Sequence, residues 1–362
     1  MGSNGLGHSN YFHAYTYTMR VLITGVTGQD GSYLAEKLLS EGHKVYGLLR
    51  RTSLFNTQRI DHIFKDSHLD SLGLEVVHGD MSDASSIQRA ISQVAPDQIY
   101  NLAAQSHVAV SFEEPEYTAD AVGLGTLRVL EAIRNLHAEG DIRFYQASTS
   151  ELFGGQTSGA LNESSPFNPR SPYAAAKMYA HTLTTNYKEA FGFFACNGIL
   201  FNHESPRRGP TFVTRKITLG ISRIISGSPM PIYLGNLDAV RDWGHAKDYV
   251  NAMTLILNAK KPSDYVVATG IGHTVRDFLR TSCEIANLKV EFVGSGPNEK
   301  LINVKTGQVV AQVDVRYHRP LEVNHLIGDP RKIQQELGWK PEITFQELVE
   351  EMVLHDLRGI KP

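Results

Sequence analysis

The chain has 362 residues, 41% hydrophobic and 20% charged, with 35 lysines and arginines against 38 aspartates and glutamates. A formal charge of −3 gives no electrostatic basis for holding nucleic acid or an anionic membrane, and no apolar run approaches the roughly 20 residues a spanning helix needs. The length allows one large domain or two medium ones.

The two cysteines, Cys196 and Cys283, stand far apart in apolar contexts and read as core residues of a protein kept in a reducing cytoplasm. The 15 histidines show neither H-x-x-x-H nor Cys/His ligand spacing, so no metal site is expected. Met1–Thr18 is rich in Gly, Ser, Asn and Tyr and has no apolar centre, so it reads as a tag or disordered tail and not as a signal peptide.

The organising stretch comes next. Val21 to Thr24 predicts a buried strand, and a helical pattern resumes at Gln29. Between them lie Gly25, Gly28 and Gly31, spaced G-x-x-G-x-x-G. One glycine suits the tight turn, one lets backbone approach a pyrophosphate, and one lets helix pack on strand. The helix N-terminus then offers free N–H groups and a positive dipole end to phosphate.

Lys44 to Leu49 is the second predicted strand. An acidic residue commonly ends this strand where NAD binds; here it runs into Arg50-Arg51-Thr52-Ser53. Two guanidinium groups beside hydroxyls suit a 2′-phosphate, which favours NADP over NAD. Leu74 to His78 forms a third strand, followed by Asp80, an acceptor for an adenine amino group. Gln98 to Ser106 is a fourth, with small residues at its carboxyl end. A long helix is expected over Thr118–His137 and a strand over Ile142–Ser148. Strand, turn and helix in repetition predict a doubly wound parallel sheet with ligands at the strands' carboxyl ends.

Ser148-Thr149-Ser150-Glu151 stands at one such end. On its own it reads equally as a turn or helix cap and as the place where substrate reacts. Asn168 to Lys177 adds a second signal: Ser171 as N-cap, Pro172 at the first helical position, and Tyr173 and Lys177 four apart on one helix face. A phenol is a poor base at its ordinary pKa near 10. A neighbouring ammonium, an oxidised nicotinamide and a helix N-terminus all favour phenolate, so a lowered Tyr173 pKa is expected.

After the strand Phe193 to Leu200 the regularity fades. Tyr233–Leu237, Val266–Thr269 and Val290–Val293 predict short strands, Val275–Ile285 a helix, and Gly294–Gly307 a surface loop. This half reads as a smaller α+β unit over the sheet edge, with the site in the cleft between. Lys216, Arg241 and Arg316 are its candidates for holding a diphosphate.

With these motifs laid out, the chain resembles the extended short-chain dehydrogenase/reductase superfamily, and within it the GDP-mannose 4,6-dehydratase family. The resemblance runs from Met19 to about Leu357 and is carried by Gly25–Tyr33, Arg50–Ser53, Tyr100–His107, Gln146–Gly154, Arg170–Lys177, Phe201–Gly209 and Arg241–Tyr249. It implies a Rossmann-type domain over 19–200 and a mainly GDP-sugar-binding domain over 201–362, some segments of which return to the sheet. Thr149, Glu151, Tyr173 and Lys177 match the family's catalytic groups. NADP contacts are implied at Gly25, Thr27, Gly28, Gln29, Asp30, Gly31, Arg50, Arg51, Ser53, Asp80, Met81, Leu102, Ala103, Ala104, Gln105, Ser106, Tyr117, Lys177, His203 and Arg208. GDP-mannose contacts are implied at Ser106, Glu151, Asn202, Lys216, Arg241, Arg316 and Glu322. In the family the Arg50–Asn56 loop reaches a neighbouring subunit, which implies a tetramer built from dimers. One departure stands out: Phe153 replaces the family's tyrosine after Glu-Leu.

The implied reaction is an internal redox dehydration, with net loss of water. A nucleotide-sugar 4-epimerase needs the tyrosine and lysine but no acid/base such as Glu151. A dTDP-glucose dehydratase carries Asp-Glu where this chain has Ser150-Glu151. A non-enzymatic NADP-sensing protein on the same fold has no need of Tyr173 and Lys177.

Overall fold

A computed structural model describes residues 18–53, 56–64, 73–138, 140–155, 159–317 and 321–359; the proposed tail up to residue 17 lies outside them. In chain order the first half runs β1 (Arg20–Thr24), α1 (Gln29–Ser40), β2 (Lys44–Leu49), β3 (Glu75–His78), α2 (Ala84–Val94) and β4 (Gln98–Asn101). Then come α3 (Val108–Glu113), α4 (Pro115–Thr118), a π-helical turn (Ala119–Leu124), α5 (Gly125–Asn135), β5 (Arg143–Thr149), α6 (Pro172–Phe191) and β6 (Phe194–Leu200). The expected helix over Thr118–His137 is thus one helical run interrupted by a π segment.

The second half runs β7 (Asn202–Glu204), α7 (Val213–Ile225), β8 (Ile232–Leu234), β9 (Val240–His245), α8 (Ala246–Leu257) and β10 (Tyr265–Val267). It continues β11 (Gly272–Thr274), α9 (Val275–Ile285), β12 (Val290–Val293), β13 (Lys300–Asn303), β14 (Val309–Val313), β15 (His325–Leu326), α10 (Arg331–Leu337) and α11 (Phe345–Arg358).

Among the described residues, seven strands form the main sheet in the order β10-β6-β5-β4-β1-β2-β3, and each pairing is parallel. β1 lies between β2 and β4, so the winding direction reverses at its carboxyl end, where such sheets open a crevice. Strand alternation feeds two cores. Val21 and Ile23 point into one, with α1 and α8; Leu22 points into the other, with α2, α5 and α6. Burying an aliphatic side chain of this size stabilises by about 1.5–3 kcal/mol.

The second half builds two smaller sheets. β9 carries β11, β15 and β7; β12-β13-β14-β8 form the other, and α7, α9 and α11 pack around a third core that includes Trp243 and Phe278. Gly294–Gly307 is not simply a surface loop. Lys300–Asn303 pairs on both sides, with β12 and β14, and Leu301 is buried. β10 returns to the main sheet beside β6, which draws α8 and α10 back against it.

Candidate active site

The crevice at the carboxyl end of β1 is a cleft of about 1140 Å³ bounded by both halves. Its first wall is the glycine turn. Gly25 has φ +71, and a Cβ there would lie 2.8 Å from the Ala103 nitrogen; at Gly31 a Cβ would lie 2.4 Å from the Gly25 carbonyl. Only glycine fits at either place. Around Gly28 a Cβ would approach only the turn's own Gly25 carbonyl, at 3.1 Å. Helix α1 begins there with no side-chain cap, which leaves its first N–H groups to a ligand.

Asp30, in the first turn of α1, faces across the cleft floor to the other half. Its carboxylate lies 2.9 Å from His203 Nε2 and accepts from Gln29 Nε2 at 3.1 Å. His203 Nδ1 lies 2.7 Å from the Phe201 carbonyl. An acceptor at each nitrogen suits the doubly protonated, charged ring. Burial opposes that charge, but Asp30 outweighs it and holds His203 above its ordinary pKa. Burial likewise works against the Asp30 carboxylate, yet His203, Gln29 and Arg208 hold it below the usual range.

The second wall is the junction of β5 and α6. Ser171 caps α6 by accepting from the Ala174 N–H at 3.0 Å, and Pro172 occupies the first turn. That start places Tyr173 and Lys177 over the end of β5, both buried. Thr149 Oγ1 accepts from the Glu151 N–H at 3.3 Å, which frees its hydrogen for the Tyr173 phenol. The Lys177 ammonium donates to the Ala147 carbonyl at 2.7 Å and lies 6.0 Å from the Tyr173 ring centre.

The expected lowering of the phenol pKa is not what the protein's own groups produce. Burial pushes Tyr173 up to about 12, against a lowering from Thr149 and Arg208 and with a further rise from Glu151 and Asp30. Lys177 goes the other way: burial brings it down to about 8, with Asp30 pulling it back. The ammonium is engaged with a carbonyl and is not turned onto the phenol oxygen. A positive charge brought by a ligand would favour the phenolate.

The third wall comes from the second half. Lys216 on α7 sits 3.4 Å above the Tyr317 ring. Arg241 on β9 is buried and lies 4.0 Å from the Glu322 carboxylate. Arg316 forks onto Asp314, with Nε 3.0 Å from each oxygen and Nη2 at 2.6 Å, while most of its side chain stays exposed. Arg208 stacks 3.7 Å over Phe212 and meets Glu204 at 3.1 Å. The buried Asn202 Oδ1 has no hydrogen-bond partner among the described residues.

The cleft therefore brings together Gly25, Thr27, Gly28, Gln29, Asp30, Gly31, Leu102, Ala103, Ala104, Ser106, Thr149, Glu151, Tyr173, Lys177, Asn202, His203, Arg208, Lys216, Arg241, Arg316 and Glu322. Arg50, Arg51, Ser53, Asp80, Met81, Gln105 and Tyr117 do not line it. Arg50 donates to the Tyr117 hydroxyl at 2.8 Å. Asp80 accepts from the Ser82 N–H and hydroxyl at 2.9 and 2.7 Å, and Met81 belongs to the core beside α2. In the Arg50–Asn56 loop, Leu54 and Phe55 lie outside the described residues. The sequence reading missed the cleft's aromatic lining: Phe112, Phe212, Tyr233, Trp243 and Tyr317. These positions share no spacing; only the adjacency of Tyr317 to Arg316 hinted at one of them.

The residues 22–352 match the family model described as GDP-mannose 4,6 dehydratase. A GDP-mannose 4,6-dehydratase of Vibrio cholerae is 54% identical over 349 residues, 94% of each chain. GDP-mannose 4,6 dehydratase 2 of Arabidopsis thaliana is 54% identical over 343 residues, 94% of this chain and 87% of that one. Among solved structures, the Thermus thermophilus UDP-glucose 4-epimerase in complex with NAD superposes with a TM-score of 0.76 at 27% identity, covering 94% of this chain and 99% of the other. With a doubly wound sheet, an uncapped glycine turn and a Thr/Glu/Tyr/Lys junction in one cleft, the chain belongs to the GDP-mannose 4,6-dehydratase family.

Proposed function

We propose that the protein is a hydro-lyase converting GDP-mannose to GDP-4-keto-6-deoxymannose and water. The carrying observation is that Thr149, Glu151, Tyr173 and Lys177 stand at one strand–helix junction in the same cleft as the uncapped glycine turn. That turn fits a dinucleotide: two of its glycines have no room for a Cβ and its helix N-terminus is open to phosphate. A bound nicotinamide dinucleotide supplies the hydride acceptor and donor and the positive charge that favours phenolate.

Each side chain then has one task. Tyr173 takes the proton of the sugar 4-hydroxyl as C4 is oxidised, and Thr149 donates to the 4-oxygen. Lys177 keeps a positive charge below the phenol. The 4-ketone acidifies the proton on C5; Glu151 removes it and returns it to the 6-hydroxyl, which departs as water. C6 then takes back the hydride that left C4 while C5 regains a proton from Tyr173. Ser106, Asn202, Lys216, Arg241, Arg316 and Glu322 bind the GDP-sugar, the cations meeting the diphosphate.

NADP is the cofactor in this reading, because Arg50 and Arg51 follow β2 where an acidic residue would select NAD. The pairing of Arg50 with Tyr117 supports a guanidinium held in place for a 2′-phosphate. Residues 19–200 form the cofactor half and 201–362 mainly the substrate half. The assembly is a homotetramer, built through the Arg50–Asn56 loop, and the setting is the cytoplasm. Both cysteines are free and buried, and no helix among the described residues is long and apolar enough to cross a membrane.

Glu151→Gln tests the division of labour. The amide keeps the carboxylate's shape but shuttles no proton. On mixing with GDP-mannose and NADP⁺, reduced nicotinamide absorbance appears while mass spectrometry shows no product lighter by one water. Turnover at the wild-type rate, with normal deuterium entry at C5 from heavy water, would remove Glu151 from the mechanism.

A further inference from the structure

The last three residues of β5 each hold one residue of α6. The Thr149 hydroxyl lies against the Tyr173 phenol and pulls its pKa down against the rise from burial. The Ala147 carbonyl accepts from Lys177 at 2.7 Å. The Ser148 hydroxyl pairs with His181 Nδ1 at 3.0 Å. Tyr173, Lys177 and His181 are spaced by four, so they form one stripe along the helix, and the strand grips that stripe at three levels.

The third level has no part in the chemistry proposed above. His181 does not line the cleft and is buried. Its ring stands edge-on to Phe167, 5.1 Å between centres, and Phe167 packs on Phe153 at 5.3 Å, two residues beyond Glu151. Its carbonyl accepts from Asn197 Nδ2 of β6 at 3.3 Å. The imidazole is thus held by Ser148 of β5 and by Phe167, and the His181 backbone by Asn197 of β6.

We propose that His181 is a positioning residue for this reaction, acting through Ser148 to hold α6 in register on β5 and so to set Tyr173 against Thr149 and Glu151. The inference rests on the catalytic reading of the Thr149, Tyr173 and Lys177 contacts. Tyr173 exchanges a proton during turnover, Thr149 turns to the sugar 4-oxygen and Lys177 holds the charge beside them, so none of the three stands apart from the reaction. The Ser148–His181 contact does, and it can serve as the fixed reference between strand and helix. Burial holds His181 below its ordinary pKa, with Asp264 raising and Lys188 lowering it; a neutral ring is therefore favoured while the proton moves at Tyr173, two helical turns away. A misplacement of about 1 Å between reacting groups costs about 100-fold in rate, so even a small slip of α6 is read out in the first step.

The experiment compares Ser148→Ala, His181→Phe, their combination, and His181→Asn, whose amide can still meet Ser148. Tyr173→Phe is the control for the underlying reading. Single-turnover formation of reduced nicotinamide from GDP-mannose and NADP⁺ is measured alongside the dissociation constants of both ligands. Ser148→Ala and His181→Phe are expected to slow C4 oxidation by about 10- to 100-fold with dissociation constants unchanged. The combined variant should be no slower than the worse single one, and His181→Asn should recover most of the rate. Wild-type oxidation rates in Ser148→Ala and His181→Phe, with Tyr173→Phe inactive, would overturn the positioning role while the catalytic reading stands. Losses of rate matched by losses of ligand affinity would overturn it as well, because they mark general loosening. An active Tyr173→Phe would overturn the catalytic reading and this inference together.

Discussion

The two ends of the cleft solve opposite electrostatic problems. At the β5–α6 end, Tyr173 and Lys177 are buried, and burial drives them apart, to about 12 and about 8. The Tyr173 phenolate is unfavourable in the protein alone and is favoured by a cationic ligand, whereas the Lys177 ammonium persists below about pH 8. At the other end, Lys216, Arg241 and Arg316 come from three separate elements, and each is already engaged by an aromatic ring or a carboxylate. In the proposed function these charges need only exchange one partner for another. On that reading the β5–α6 end works through shifted pKa values, whereas the Lys216 end works through contacts that a ligand can replace.

The largest effect expected from this contrast is at Tyr173. In the proposed mechanism Tyr173→Phe removes the oxygen that takes the 4-hydroxyl proton, and it should lower kcat by about 10²–10⁴-fold, with GDP-mannose affinity retained. Product formation followed by mass spectrometry together with calorimetric binding checks both halves of that statement. A variant that keeps its rate but loses its affinity would place Tyr173 on the binding side of the comparison.

A smaller effect is expected at the outer edge of β2. Arg50→Ala combined with Arg51→Ala should weaken NADP⁺ by about 1.5–3 kcal/mol per phosphate pair lost while leaving NAD⁺ affinity nearly unchanged. Titration of both cofactors into both proteins measures the difference. Equal affinity of the wild type for NADP⁺ and NAD⁺ would show that these arginines select nothing.

The smallest and most diagnostic effect is in pH. The folded Lys177 pKa of about 8 lies below the unfolded value near 10.4, so between them the unfolded chain binds the extra proton. Lys177 therefore makes stability rise as pH climbs through that window, although activity falls there because the ammonium is lost above about pH 8. Denaturation midpoints and initial rates measured from pH 7 to 10 should move in opposite directions, and Lys177→Met should abolish the rise contributed by this residue. Parallel falls in both quantities would mean that Lys177 is not held below its ordinary pKa.

The parts of this molecule that were readable in the sequence are those built from neighbouring residues. The glycine turn, the Ser171–Pro172 helix start and the Tyr173/Lys177 spacing are each decided within a few positions, by sterics, capping and helical period. What escaped reading depends on distant partners. β13 lies in a segment whose polar composition predicts a loop; its pairing with β14 and that of β14 with β8 join segments that no local pattern relates. The π segment at Ala119–Leu124 hides in an ordinary helical periodicity. The upward shift of Tyr173 was missed because desolvation is a property of the packed cleft and has no sequence signal. Phe153 is the converse case: it is fully buried against Phe167 and Phe201, a setting in which a missing hydroxyl leaves nothing unpaired.

The Asp30–His203 contact ties a helix of the first core to a strand of the second half. Parting the two while either remains folded would forfeit that charge-assisted contact and open the cleft floor to water. The half-unfolded states that two separate cores would otherwise permit are thereby raised in energy, and the two halves are expected to unfold together on heating.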